Sequence, residues 1–219
     1  MASPLPRAVL WDMDGTLVDS GELHFLAWQE ILAGLGRSLD RDGFAATFGL
    51  RNDAVLRRLL DPAISDADIA LFGNAKEERY RALVHQHGVS ALPGAREWLA
   101  RLAADGWRQA IASSGPRANT QAIIEALQLD GVFAAVIAAE DVTHGKPDPE
   151  PFLTAAAQVD TVPARCVVVE DAPPGIESGR RAGMPTIGVL STHATLDADV
   201  IVGALTDLPD DAFDRLVGA

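Results

Sequence analysis

Short apolar runs alternate with longer stretches in which apolar residues recur every three or four positions. The first short run, Ala8-Val9-Leu10-Trp11, ends on Asp12, and Asp14-Gly15-Thr16 follows. These residues suit a buried strand that stops at Asp12, because a carboxylate is costly in a dry core. Extended side chains alternate in direction, so Asp12 and Asp14 are expected to leave the strand's carboxyl end on the same side. Beyond Thr16 the spacing turns helical. His24, Trp28, Ile31 and Leu35 fall on one predicted face and Leu23, Leu26 and Ala27 on its neighbour, and Gly34 and Gly36 end the helix. Further helices are predicted over 40–48, over 55–60 before the Asp61-Pro62 break, and from a cap at Asp66 to His87. Between 19 and 87 the spacing predicts no strand.

From Gly94 the rhythm changes again, after a linker over 88–93. Helices are predicted over 95–104, 118–127, 151–158, 174–182 and 211–217, and strands over 109–113, 134–138, 167–170, 186–190 and 198–202. Strands alternating with helices imply a parallel sheet covered on both faces. The helical block interrupts that alternation directly after the first strand, so it reads as an insertion. The expected architecture is α/β: a Rossmann-like parallel sheet with helices on both faces, plus an inserted all-helical domain. Residues 1–17 and 89–219 would form the core and 18–88 the insertion. Internal repeats and low-complexity segments are not evident.

Composition narrows the partners. The chain has 219 residues, 48% of them apolar, and a formal net charge of -13. Such a charge repels nucleic acid and anionic lipid, and it repels small anions unless the site carries local positive charge. The single cysteine, Cys166, excludes an internal disulfide and a cysteine metal cluster; heading the run Cys166-Val167-Val168-Val169, it reads as a buried structural thiol. The opening Met1-Ala2-Ser3-Pro4-Leu5-Pro6-Arg7 lacks the basic-then-apolar order of a signal peptide, and the apolar runs fall short of the ~20 residues of a membrane helix. A cytoplasmic protein is expected, with the acidic surface and small insertion suiting a monomer.

The strand ends carry the chemistry. The first ends in Asp12 and Asp14, the next in Ser113 and Ser114, and a later one in Glu170 and Asp171. The carboxyl ends of parallel strands lie along one sheet edge, so these groups should converge. Four carboxylates in one crevice need a counter-charge, and hard oxygen donors without His or Cys suit Mg²⁺. Lys146, in Gly145-Lys146-Pro147-Asp148-Pro149, is a second candidate counter-charge. Each piece also has an ordinary reading as a turn, a surface loop or a helix entry; their order along the chain is what joins them.

That order carries a resemblance. Asp12-Met13-Asp14-Gly15-Thr16, then Ser113, then Lys146-Pro147-Asp148, then Glu170-Asp171 is similar to the four-part signature of the haloacid dehalogenase superfamily, and it spans nearly the whole chain. The insertion, with Glu22-Leu23-His24-Phe25-Leu26-Ala27-Trp28 and Lys76-Glu77-Glu78-Arg79-Tyr80, resembles the cap of the β-phosphoglucomutase-like branch. The resemblance implies that Asp12 is the nucleophile and forms an aspartyl-phosphate, with Asp14 as acid and then base. It implies a pKa of Asp14 raised by neighbouring acids and desolvation. Asp12, the Asp14 carbonyl and Asp171 would hold Mg²⁺, with Glu170 binding directly or through water. Ser113 and Lys146 would grip the phosphoryl oxygens, helped by backbone near Met13 and Ser114. An acid at Asp14 argues against the dehalogenases and phosphonate-cleaving members, whose reactions have no alcohol leaving group to protonate.

In the cap, His24, Arg51 and Lys76 are expected to face the core and read a small anionic, polyhydroxylated substrate, with Trp28 as cap packing. The ordinary alternatives are a His24 paired with Asp19 or Glu22 and an Arg51 solvated in its loop. Sugar phosphomutases of this branch carry a Ser-Lys pair after the second motif. Here Gly115-Pro116 occupies that place, with Arg117 beyond as a candidate substrate contact; the weakened second phosphate cradle favours a phosphatase of small sugar phosphates over a phosphomutase. A phosphate-binding protein without turnover is the reading outside enzymes.

Overall fold

The computed structural model describes residues 5–218. The expectation about the first residues therefore lies partly outside it. Strand β1 (Ala8–Trp11) is central in a six-stranded sheet with β4 (Arg108–Ala112), β5 (Ala135–Ile137), β6 (Cys166–Glu170), β7 (Thr186–Val189) and β8 (Val200–Val202). The order is β5-β4-β1-β6-β7-β8, and each neighbouring pair runs parallel. The chain builds outward from β1 through β4 to β5, then returns to β1's other side with β6. The switch point is thus the crevice at the carboxyl end of β1, where ligands bind in open α/β sheets.

Period-two alternation divides the core between the two faces. Val9, Trp11, Ile111, Val167 and Val169 join one apolar cluster, whereas Ala8, Leu10, Ala110, Ala112 and Val168 join the other. The flanking helices are α5 (Ala95–Ala104), α6 (Arg117–Ala126), α7 (Glu150–Gln158), α8 (Pro173–Arg181) and α9 (Ala212–Leu216). The Cys166 thiol is buried in the second cluster with its Sγ 3.4 Å from the Val162 carbonyl oxygen, as a structural thiol should be.

The inserted helices are α1 (Gly21–Gly34), α2 (Arg41–Ala45), α3 (Asn52–Leu59) and α4 (Asp66–His87). They carry their own apolar cluster of Phe25, Trp28, Leu32, Leu39, Val55 and Leu56. That separate core makes them an all-helical cap on the α/β sheet.

Three local expectations need correction. The buried stripe of α1 runs through Leu23, His24, Phe25, Ala27, Trp28 and Leu32; Ile31 is half-buried and Leu35 exposed. The start of α4 is capped one residue earlier, by the Ser65 hydroxyl accepting from the Asp68 amide. The segments at 18–19 and 88–93 also contain strand: β2 (Val18–Asp19) pairs antiparallel with β3 (Ser90–Ala91). Two residues are too few to show a period, so sequence spacing gave no sign of this ribbon. It ties together the two chain crossings between core and cap.

Candidate active site

Parallel register brings the distant motifs together. Trp11 is level with Val169 on β6 and Ile111 on β4, so Asp12 emerges beside Glu170, and Ser113 leaves the neighbouring strand. Beyond Asp12 the chain makes a tight turn in which the Met13 carbonyl accepts from the amides of Leu17 and Val18. Gly15 adopts φ +90°, open to glycine without strain, and a Cβ there would overlap the Asp171 carboxylate. The turn thereby presses β1's tip against that of β6.

Lys146 reaches into this crevice. Its Nζ donates to Asp12 Oδ1 at 2.6 Å and to Glu170 Oε1 at 2.7 Å. Burial alone would lower the ammonium's pKa, but the two carboxylates outweigh it and hold the pKa above the usual lysine value. Glu170 Oε2 accepts from the amides of Asp171 at 2.9 Å and Ala172 at 2.8 Å, at the start of α8. Asp171 accepts from the Thr16 hydroxyl at 3.1 Å and from the Thr192 hydroxyl.

Asp12, Glu170 and Asp171 are buried and offer oxygens within 4.8 Å of one another. Burial, then Glu170, pushes the Asp171 carboxyl up to about 7, and burial together with Glu170 and Asp171 raises Asp12 well above the usual range despite Lys146. With all three ionised, one ammonium leaves two negative charges uncompensated. The hard oxygen donors and excess negative charge fit Mg²⁺.

The cap closes over the same crevice. Asp14 Oδ1 accepts from the Ser20 hydroxyl at 2.6 Å, lies 3.2 Å from His24 Nε2, and accepts from the Tyr80 hydroxyl at 3.3 Å. Lys76 Nζ lies 2.8 Å from His24 Nδ1, and the His24 ring stacks on Tyr80 with centroids 3.9 Å apart. With the Lys76 ammonium against Nδ1, it is Nε2 that faces Asp14 and can donate to it. The Asp14 pKa is therefore not raised as expected. Burial does push it up, but His24, Ser20 and Lys76 outweigh burial and hold it at about 2.

The narrow space between cap and sheet, about 50 Å³, is lined by Asp12, Asp14, His24, Lys76, Ser113 and Ser114 among others. Ser113 Oγ accepts from the Gly115 amide at 3.0 Å. His24 does not pair with Glu22, which holds Arg41 at 2.6 Å. Trp28 belongs to the cap's apolar cluster and also lines the pocket.

Lys146, Glu170 and Asp171 do not line this space themselves but gather behind Asp12, which does, and two further candidates lie away from it. Arg51 lies against Gly145 at the edge of the Lys146 loop, 3.8 Å from Asp53. Arg117 donates to Asp141 at 2.5 Å and to the Val136 carbonyl at 3.0 Å.

Residues the sequence reading passed over complete the site. Ser20 and Tyr80 hold Asp14, Thr192 holds Asp171, and Asn119 joins core to cap. Ser20 and Tyr80 had a signal: each lies four residues from a chosen residue, His24 or Lys76, at helical spacing. Thr192 and Asn119 had none, since only the fold brings them near.

Known proteins align with this arrangement over nearly its whole length. The Bacillus subtilis (strain 168) β-phosphoglucomutase is 32% identical over 208 residues, covering 92% of this chain and 91% of its own. Hexitol phosphatase A of Escherichia coli (strain K12) is 36% identical over 207 residues, covering 92% and 93%. The crystal structure of CbbY from Rhodobacter sphaeroides in complex with phosphate superposes with a TM-score of 0.87 at 26% identity, covering 96% of this chain and 100% of that one. A family profile described as haloacid dehalogenase-like hydrolase matches residues 9–189. The chain belongs to the haloacid dehalogenase-like hydrolases.

Proposed function

We propose that this protein is a Mg²⁺-dependent phosphatase that hydrolyses small phosphate monoesters, sugar or polyol phosphates among them, through an aspartyl-phosphate on Asp12. One observation carries the reading. At the switch point of the sheet, a buried carboxylate (Asp12) touches an ammonium that can also grip phosphate, while a second carboxylate (Asp14) stands on the cap side.

Asp12 attacks phosphorus from the sheet side, the P–O bond to the alcohol breaks, and the alcohol takes a proton from Asp14. Asp14 then accepts a proton from the water that cleaves the acyl phosphate, which returns Asp12 as a carboxylate and releases inorganic phosphate. With His24, Ser20 and Lys76 around it Asp14 is an anion, ready for the second half of that cycle. An incoming phosphate anion beside it raises its proton affinity and prepares the first. Ser113 and Lys146 hold the transferring oxygens. Asp12, Asp171 and the Asp14 carbonyl, with Glu170 beside them, would hold Mg²⁺, and the cation would offset the repulsion between nucleophile and phosphate.

Residues 18–88 act in this reading as one cap that opens about the β2–β3 ribbon to admit substrate. Within the described residues no helix is long and apolar enough to cross a membrane. A cytoplasmic monomer acting on freely diffusing esters agrees with the acidic surface and the lone buried thiol.

The test is phosphate release from a panel of phosphate esters with Mg²⁺ and with chelator, repeated on Asp12→Asn. Metal-dependent release that is lost in the variant is expected. Interconversion of hexose phosphates that needs a bisphosphate activator and releases little phosphate would instead make the protein a phosphomutase. Absence of both activities would leave a binding protein.

A further inference from the structure

We propose that Glu77 determines the substrate class: it cancels Lys76, the cation on the cap side of the pocket, so that the site takes monophosphates whose cap-facing part is neutral and hydroxyl-bearing and rejects bisphosphates. The inference rests on the phosphate-ester reading above and names the class of ester.

The pocket has two unlike sides, one from the core and one from the cap. One holds Asp12, Ser113 and Ser114 and would receive the phosphate. The other lies in the cap, where Asn52, Lys76 and Glu77 are set among Trp28, Phe48 and Val55. Glu77 is buried, at 4% exposure, yet each of its carboxylate oxygens has a donor. Oε1 accepts from Asn52 Nδ2 at 2.8 Å and Lys76 Nζ at 3.0 Å, and Oε2 accepts from Asn119 Nδ2 at 2.5 Å.

Asn119 belongs to α6 of the core, and its carbonyl oxygen accepts from Arg81 on α4 at 3.0 Å. The carboxylate is thus clamped from both domains and cannot swing out of the closed pocket.

A second phosphate on this side would need a free cation. Lys76 is already shared between Glu77 and His24. Arg51 and Arg117 lie outside the pocket, as described above, and among the described residues no other lysine or arginine lines it. A phosphate dianion placed there would meet the Glu77 carboxylate in a water-poor space, where like charges repel strongly. A hydroxyl meets no such penalty. It can donate to the carboxylate and accept from the third proton of Lys76.

The matched probes are fructose 6-phosphate and fructose 1,6-bisphosphate. Their binding is measured by calorimetry with Mg²⁺ on Asp12→Asn protein, which does not depend on turnover, and then on the same protein carrying Glu77→Gln. The monophosphate is expected to bind at least about tenfold more tightly, and Glu77→Gln is expected to move the ratio about tenfold toward the bisphosphate. A bisphosphate that binds Asp12→Asn protein as tightly as the monophosphate overturns the proposal. So does an unchanged ratio in a variant that keeps its circular dichroism, and so does a failure of both sugars to bind. Should Glu77→Gln not fold, competition in the wild-type protein decides: a bisphosphate that displaces the monophosphate with equal strength refutes the idea. Absent phosphate release from p-nitrophenyl phosphate counts against the phosphatase reading, and the binding ratio still reports on Glu77.

Discussion

Lys146 and Asp12, separated by more than half the chain, meet at 2.6 Å beneath the tip of the central strand, both buried. The same ammonium holds Glu170 at 2.7 Å, so one positive charge bridges the first and fourth motifs. Removing one partner of a buried ion pair costs about 3–5 kcal/mol, because the other charge is left without compensation. Lys146→Met is therefore expected to lower the Tm of metal-free protein strongly, with part of the loss recovered by millimolar Mg²⁺. Phosphate release should fall about 10²–10³-fold through the lost phosphoryl contact. An unchanged Tm in chelator would show that the ion pair carries little of the site's stability.

Metal binding should depend on pH near neutrality. The Asp171 carboxyl is pushed up to about 7 by burial and by Glu170 in the metal-free protein, so a proton competes with the cation below that pH. Mg²⁺ affinity is expected to rise from pH 6 to 8 with proton release, measured by calorimetry in buffers of different ionisation enthalpy. Without metal the sign for stability is opposite. A carboxyl whose pKa is raised on folding contributes stability at low pH that is lost as pH climbs through the folded value. Metal-free protein should therefore lose Tm between about pH 4 and 7, and Asp171→Asn should blunt that loss and abolish the Mg²⁺ response. A Tm indifferent to pH in chelator would contradict the crowding of these acids.

Ser20→Ala tests what keeps Asp14 ionised. The Ser20 hydroxyl donates to Asp14 at 2.6 Å, and with His24 and Lys76 it outweighs burial to hold the pKa at about 2. Loss of a donor to the charged form raises a carboxylate's pKa. Carbon-13 chemical shifts of Asp14 followed against pH should place its titration higher in the variant. Equal titration in both proteins would assign the lowering to His24 and Lys76 alone.

Gly15 answers to two constraints at once, a φ of +90° and the carboxylate of Asp171 against its Cα. Gly15→Ala is expected to lose about 1–3 kcal/mol in backbone strain and to weaken Mg²⁺ binding by displacing Asp171. Denaturant unfolding and calorimetry on the same samples check both effects.

Burial pushes the Cys166 thiol up to about 12. Only on the order of one thiol in 10⁴ is then ionised at pH 8, and the thiolate is the reactive form. Iodoacetamide should label Cys166 at the rate of global unfolding, faster in denaturant and slower with Mg²⁺ bound. Rapid labelling of native protein would mean that the second face of the sheet opens locally.

The sequence alone determined the period-two strands, the helical insertion after the first of them, and the polar groups at the strand ends. It could do so because strand alternation, buried runs and costly carboxylates are local consequences of single residues and their neighbours. Parallel pairing then brought those ends together, and Asp12, Lys146, Glu170 and Asp171 meet as their positions implied. Tertiary structure decided what depends on distant partners. It turned Arg51 toward Gly145 and Arg117 toward Asp141, lowered Asp14 instead of raising it, paired Val18–Asp19 with Ser90–Ala91, and set Asn119 against Glu77. A long side chain's direction and a carboxylate's pKa are set by charges and donors that arrive from other parts of the chain, and spacing along the sequence holds no record of them.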